Sequence, residues 1–95
     1  MHRKTLTSSD IYELPYFEKL LLLEEGMRLV VFAKDPHWEV RLAVALHGKY
    51  LKYLLNDSHW KVRMAVAAQS YGISKLIVDD HPDVRRKALE MAGIL

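Results

Sequence analysis

Asp57-Ser58-His59-Trp60-Lys61-Val62-Arg63 decides the fold. The same pattern stands before it at Asp35-Pro36-His37-Trp38-Glu39-Val40-Arg41 and after it at Asp79-Asp80-His81-Pro82-Asp83-Val84-Arg85, and the three copies are equally spaced. A fixed period of this kind marks one small unit stacked in copies, because stacking gives every copy equivalent neighbours. The match continues past the arginine, where Val40-Arg41-Leu42-Ala43-Val44-Ala45 overlays Val62-Arg63-Met64-Ala65-Val66-Ala67. Further on, Leu51, Leu54 and Leu55 overlay Ile73, Leu76 and Ile77, so each unit carries two apolar segments. Running the register backwards sets Lys19 under Arg41, Gly26 under Gly48, and Phe32, Ala33 and Asp35 under Leu54, Leu55 and Asp57. The units then fall at about 13–34, 35–56, 57–78 and 79–95, in a single domain over 10–95 behind a short, mobile basic tail at 1–9. The first copy lacks the Val-Arg signature, as befits a terminal repeat with one face in solvent.

Asp, Ser or His followed by Pro or Trp is a helix-start signal, which predicts long helices beginning near 37, 59 and 81. The alanine-rich runs that follow favour helix and let neighbouring helices approach closely. Stops are expected around Gly48, at Ser70 to Gly72 and at Gly93, where glycine accepts left-handed backbone. A second segment is expected over about 49–56 and 73–78, short enough to be partly 3₁₀. The first unit should be helical from Pro15 to Glu25 and again from Met27 to Lys34. The expected fold is all-α, a short right-handed α-solenoid of about four stacked 22-residue units.

The unit is shorter than the roughly 40 residues of HEAT and armadillo repeats or the roughly 34 of tetratricopeptide repeats. Val-Arg-x-Ala-Val-Ala at 40–45 and 62–67, followed by Leu54-x-x-Asp57 and Leu76-x-x-Asp79, resembles the leucine-rich repeat variant, a bacterial HEAT-like family. The resemblance covers 35–95 well and 13–34 weakly, and implies a unit pairing an α-helix with a 3₁₀ or short α-helix.

Apolar residues make up 51% and charged residues 27% of the chain, the balance of a folded domain rather than a disordered one. There is no cysteine, which excludes disulfides, thiolate metal sites and a cysteine nucleophile, and which suits a reducing cytoplasm. The longest apolar runs fall far short of the roughly 20 residues of a membrane-spanning helix, and no secretory signal follows His2, Arg3 and Lys4. Net charge is only +2 but unevenly spread, with six acids against three bases from Asp10 to Asp35. From Lys49 to Val78 the sign reverses, five bases facing only Asp57.

Arg41, Arg63 and Arg85 recur at one position and Asp35, Asp57 and Asp79 at another, which suggests a ladder of ion pairs fixing the stacking register. His37, His59 and His81 form another column. Equivalent residues of packed helices lie on the order of 10 Å apart, too far to converge on a metal, so packing at helix starts is the better reading. Trp38 and Trp60 either cover the edge of the core or form an exposed strip. The strongest candidate for a functional surface combines Lys49, Lys52 and Lys75 with Tyr50, Tyr53 and Tyr71, at positions where the copies differ. The partner-binding candidates are Lys49, Lys52, Tyr53, Tyr71, Lys75, Trp38 and Trp60. No catalytic, metal or cofactor motif stands out. The expected function is a noncatalytic scaffold binding a protein partner. The alternatives are a nucleic-acid-binding module using Lys49, Lys52, Lys61, Lys75 and the basic tail, and a piece of a larger scaffold or enzyme. Ile94 and Leu95 are a candidate contact between two copies.

Overall fold

The start signals put helices where the sequence predicts them, but histidine, not aspartate, occupies the cap. His37, His59 and His81 have extended backbone with φ of −91°, −97° and −96°, and each immediately precedes a long helix. The aspartate that opens each signature accepts that histidine's backbone N–H through Oδ1 at 2.9 Å, closing the turn that launches the helix. The imidazole Nδ1 of His59 and of His81 then accepts the backbone N–H of Lys61 and Asp83 at 3.1 Å, satisfying one of the orphan donors of a helix start.

The computed structural model describes residues 8–24 and 29–95. Its elements are α1 (Ser8–Tyr12), α2 (Tyr16–Glu24), α3 (Leu29–Ala33), α4 (Trp38–Leu46), α5 (Leu51–Leu54), α6 (Trp60–Ala68), α7 (Ile73–Leu76) and α8 (Pro82–Met91). The described residues are thus all-α, without strands. None of their helices is long and apolar enough to cross a membrane. Ser8 and Ser9 belong to α1, while the rest of the segment read as a tail lies outside the described residues, as do Glu25, Gly26 and Met27. The short segments α5 and α7 are single α-helical turns rather than 3₁₀.

The turns from α4 to α5 and from α6 to α7 each use two left-handed residues. Gly48 and Ser70 (φ 72° and 58°) hold the first position, and Tyr50 and Gly72 (φ 53° and 66°) the second. Each of these two turns therefore places glycine at one position and strains a residue with a side chain at the other.

Burial follows the period of the sequence. Val40, Val62 and Val84 are buried in one column, Val44, Val66 and Ala88 in a second, and Phe32, Leu54 and Leu76 in a third. The valines line the inner face of the long helices and the third column anchors the short ones. Long helices pack in sequence, α2 on α4, α4 on α6 and α6 on α8, while α3, α5 and α7 each pack on the long helix that follows. The result measures 57 × 20 × 20 Å.

Candidate binding groove

The polar columns lock neighbouring units together and form one side of the candidate site. Arg41 Nε and Nη2 donate to Asp57 Oδ2 and Oδ1 at 2.7 and 3.1 Å, and its Nη1 donates to the backbone carbonyl of Asp35 at 2.7 Å. Arg63 repeats this with Asp79 at 2.8 and 3.1 Å and with the Asp57 carbonyl at 2.8 Å. One guanidinium thus holds the helix start of its own unit and the carboxylate of the next, a fork geometry that lysine cannot reproduce. The first unit carries Lys19 instead, fully buried, with Nζ 2.8 Å from Asp35 Oδ2. Arg85 keeps the carbonyl contact to Asp79 at 2.7 Å.

Burial works to raise the pKa of Asp79, but the hydrogen bonds from Arg63 and from the His81 backbone outweigh it and hold the carboxyl below its ordinary 3.8. The reciprocal hydrogen bond to Asp79 raises Arg63, against the opposing effect of burial. The Arg63–Asp79 rung is therefore fully ionised at neutral pH, each charge answered by the other.

The tryptophan and histidine columns are one row, not two. Trp38 stacks on His59 with centroids 4.2 Å apart and planes at 15°, and Trp60 stacks on His81 at 4.0 Å and 8°. Both tryptophans are half-buried against the core. Lys61 Nζ lies 5.1 Å from the Trp38 ring and 5.6 Å from the Trp60 ring, within cation–π range of both. The signal in the sequence was the constant spacing from each tryptophan to the histidine of the next unit, which comparison of equivalent positions alone does not test.

Beside the Arg41–Asp57 pair lies an open concavity of about 940 Å³. Its lining includes the ladder residues Asp35, Arg41 and Asp57, together with Lys34, Lys52, Tyr50, Tyr53 and Asn56. Tyr50 and Tyr53 are 44% and 54% exposed, so both rings are available to a ligand. Asp35 is neutralised by Lys19 and Asp57 by Arg41, which leaves Lys34 and Lys52 to set a basic field over the groove. Of the predicted partner-binding residues, Lys52 and Tyr53 line this groove. Lys49, Tyr71 and Lys75 are exposed and do not line it, and Trp38 and Trp60 belong to the stacked row. Lys34, Pro36, Asn56 and Ser58 were missed, although their columns also vary: Lys34, Asn56 and Val78 are equivalent, as are Pro36, Ser58 and Asp80.

Among the described residues no three His, Asp or Glu side chains converge as metal ligands would. Compared with protein-family models, curated proteins and solved structures, the chain matches none.

Proposed function

We propose that this chain is a noncatalytic, right-handed α-solenoid of the leucine-rich repeat variant type, and that its Tyr50–Lys52–Tyr53 groove binds an acidic, extended segment of a protein partner in the cytoplasm. The observation carrying this reading is where the groove lies. It is lined by Tyr50, Lys52 and Tyr53, whose equivalents one unit later are Gly72, Ser74 and Lys75. Period-keeping residues build the stack, so residues that break the period are free to serve recognition. Tyrosine supplies amphipathic contact area at low entropic cost, and the two lysines steer an anionic partner to it. Tyr50 supports the reading further. It takes a left-handed conformation that the next unit gives to glycine, and strain of this kind gathers at functional sites.

A photo-crosslinkable residue at position 53 should capture the partner from the native host, with capture lost in Tyr50→Ala and Lys52→Glu. Capture of a protein that both variants retain would refute the groove. A nucleic-acid module working through Lys49, Lys52, Lys61 and Lys75 would instead bind single strands or duplex with a steep salt dependence, close to one logarithmic unit per phosphate contacted.

A further inference from the structure

The aromatic row along the helix starts is interrupted between α2 and α4. Helices α2, α4 and α6 open on Tyr16, Trp38 and Trp60, and each carries its ladder cation at the fourth residue, so Tyr16 holds the tryptophan position. Each tryptophan stacks on the histidine that precedes the next long helix. By that rule Tyr16 would stack on His37, yet among the described residues these two rings do not stack. They line instead a cavity of about 170 Å³, together with Leu14, Lys19, Glu39 and Val40. Both are open to solvent, Tyr16 at 51% and the His37 side chain at 62%.

The charge beside the rings is reversed as well. Lys61, the second residue of α6, sets its ammonium 5.1 Å from the Trp38 ring. The second residue of α4 is Glu39, which lines the cavity with Tyr16 and brings a carboxylate where the next unit brings a cation. The negative face of an aromatic ring disfavours a carboxylate and attracts a cation. Glu39 is exposed and makes no hydrogen bond or ion pair among the described residues. Lys19, the cation in the lining, is buried and already paired with Asp35 at 2.8 Å. Glu13 and Glu18, close to Leu14 and Tyr16 in sequence, are exposed and add negative charge. Size limits the guest further. The cavity is smaller than the roughly 300 Å³ at which small-molecule pockets begin, and near the volume that holds a single benzene ring, so it suits one planar side-chain group.

We propose that this slot receives the guanidinium of an arginine on a protein partner, stacked against Tyr16 and paired with Glu39. The guest supplies from outside the cation that Lys61 supplies to Trp38 from within the chain. Arginine suits the site better than lysine, because its planar, weakly hydrated fork stacks on a ring and meets a carboxylate through two N–H groups at once. The slot shares no lining residue with the Tyr50–Lys52–Tyr53 groove and attracts the opposite charge.

Titrating the 95-residue chain with a blocked glycyl-arginyl-glycine peptide, followed by NMR of the Tyr16, His37 and Glu39 signals, tests this. The shifts should saturate with a Kd on the order of millimolar, the range of one side chain in one slot. Glu39→Gln should weaken binding about three- to fivefold, the scale of a partly exposed ion pair, and Tyr16→Ala by a similar factor. Glu39→Lys should abolish it, since the chain then carries its own cation there. The same peptide with lysine in place of arginine should bind about threefold more weakly. Dispersed amide signals establish that each variant folds. Tyr50→Ala should leave peptide binding unchanged while ending capture at the groove, and Glu39→Gln should leave that capture intact, so the two readings fail independently. Shifts that do not saturate by about 20 mM peptide overturn the proposal, as does binding that Glu39→Gln leaves intact. Tighter binding of a tryptophan peptide would overturn it in favour of an aromatic guest. Signals of the free chain that already hold their bound positions and move in Arg3→Ala would overturn it in favour of the chain's own Arg3.

Discussion

Arg63 satisfies a carbonyl in its own unit and a carboxylate in the next with one rigid fork, and both acceptors are partly buried. Replacing it by lysine keeps the charge but reaches only one of them. Arg63→Lys should therefore cost about 2 kcal/mol in urea unfolding, the range for losing a charge-assisted hydrogen bond. The pH dependence has a definite sign. Because the folded-state pKa of Asp79 lies below 3.8, its contribution is complete above that value and is lost as pH falls through the folded pKa. Melting temperature should drop on acidification below about pH 4, and Asp79→Asn should flatten that part of the profile at the cost of lower stability at pH 7. An unchanged acid limb in Asp79→Asn would mean that other carboxylates control it. The Asp and Arg columns could be read from the sequence. Which aspartate each arginine grips could not, since the pairing of Arg41 with Asp57 rather than Asp35 depends on how the long helices pack.

The short helices show what packing adds to local sequence. With four residues each, α5 and α7 cannot persist through helix propensity, because nucleating a turn costs more than one turn returns. Leu54 and Leu76, fully buried, hold them in place. Their entrances are a matched pair with opposite tolerances. Gly72 needs its left-handed φ of 66°, and a Cβ added there would run into the Leu55 side chain. Gly72→Ala should thus lose about 2 kcal/mol or more through backbone strain and overpacking together. Tyr50 occupies the same position with a φ of 53°, so Tyr50→Gly should be neutral or stabilise by up to about 1 kcal/mol while abolishing capture of the partner. Thermal melts of the two variants decide the matter, and a strongly destabilised Tyr50→Gly would show that the ring is held for packing. The sequence placed a turn here. It did not reveal that the tyrosine carries the strain that glycine relieves one unit later.

At the scale of the molecule, each long helix packs chiefly on its neighbours in the row, so stability should be distributed along the row rather than held at one centre. Cutting one rung should then loosen one side of the cut. In Asp79→Asn, hydrogen exchange should accelerate in α8 more than in α2, because Arg63–Asp79 couples α6 to the start of α8 while α2 is held separately through Lys19 and Asp35. Uniform acceleration across all the helices would indicate a single cooperative unit.

The regular period by itself determined the helix starts, the core columns and the all-α class, because each depends on residue types at fixed spacing. Spacing is a property of the chain, and local backbone chemistry reads it directly. Only the tertiary structure decided that His59 lies against Trp38, that Lys34 joins Tyr50, Lys52 and Tyr53 around one groove, and that Lys49, Tyr71 and Lys75 stay outside it. Those outcomes depend on the rotation and offset between successive helices. These quantities are set by how side chains of different units interlock, and no single unit contains them.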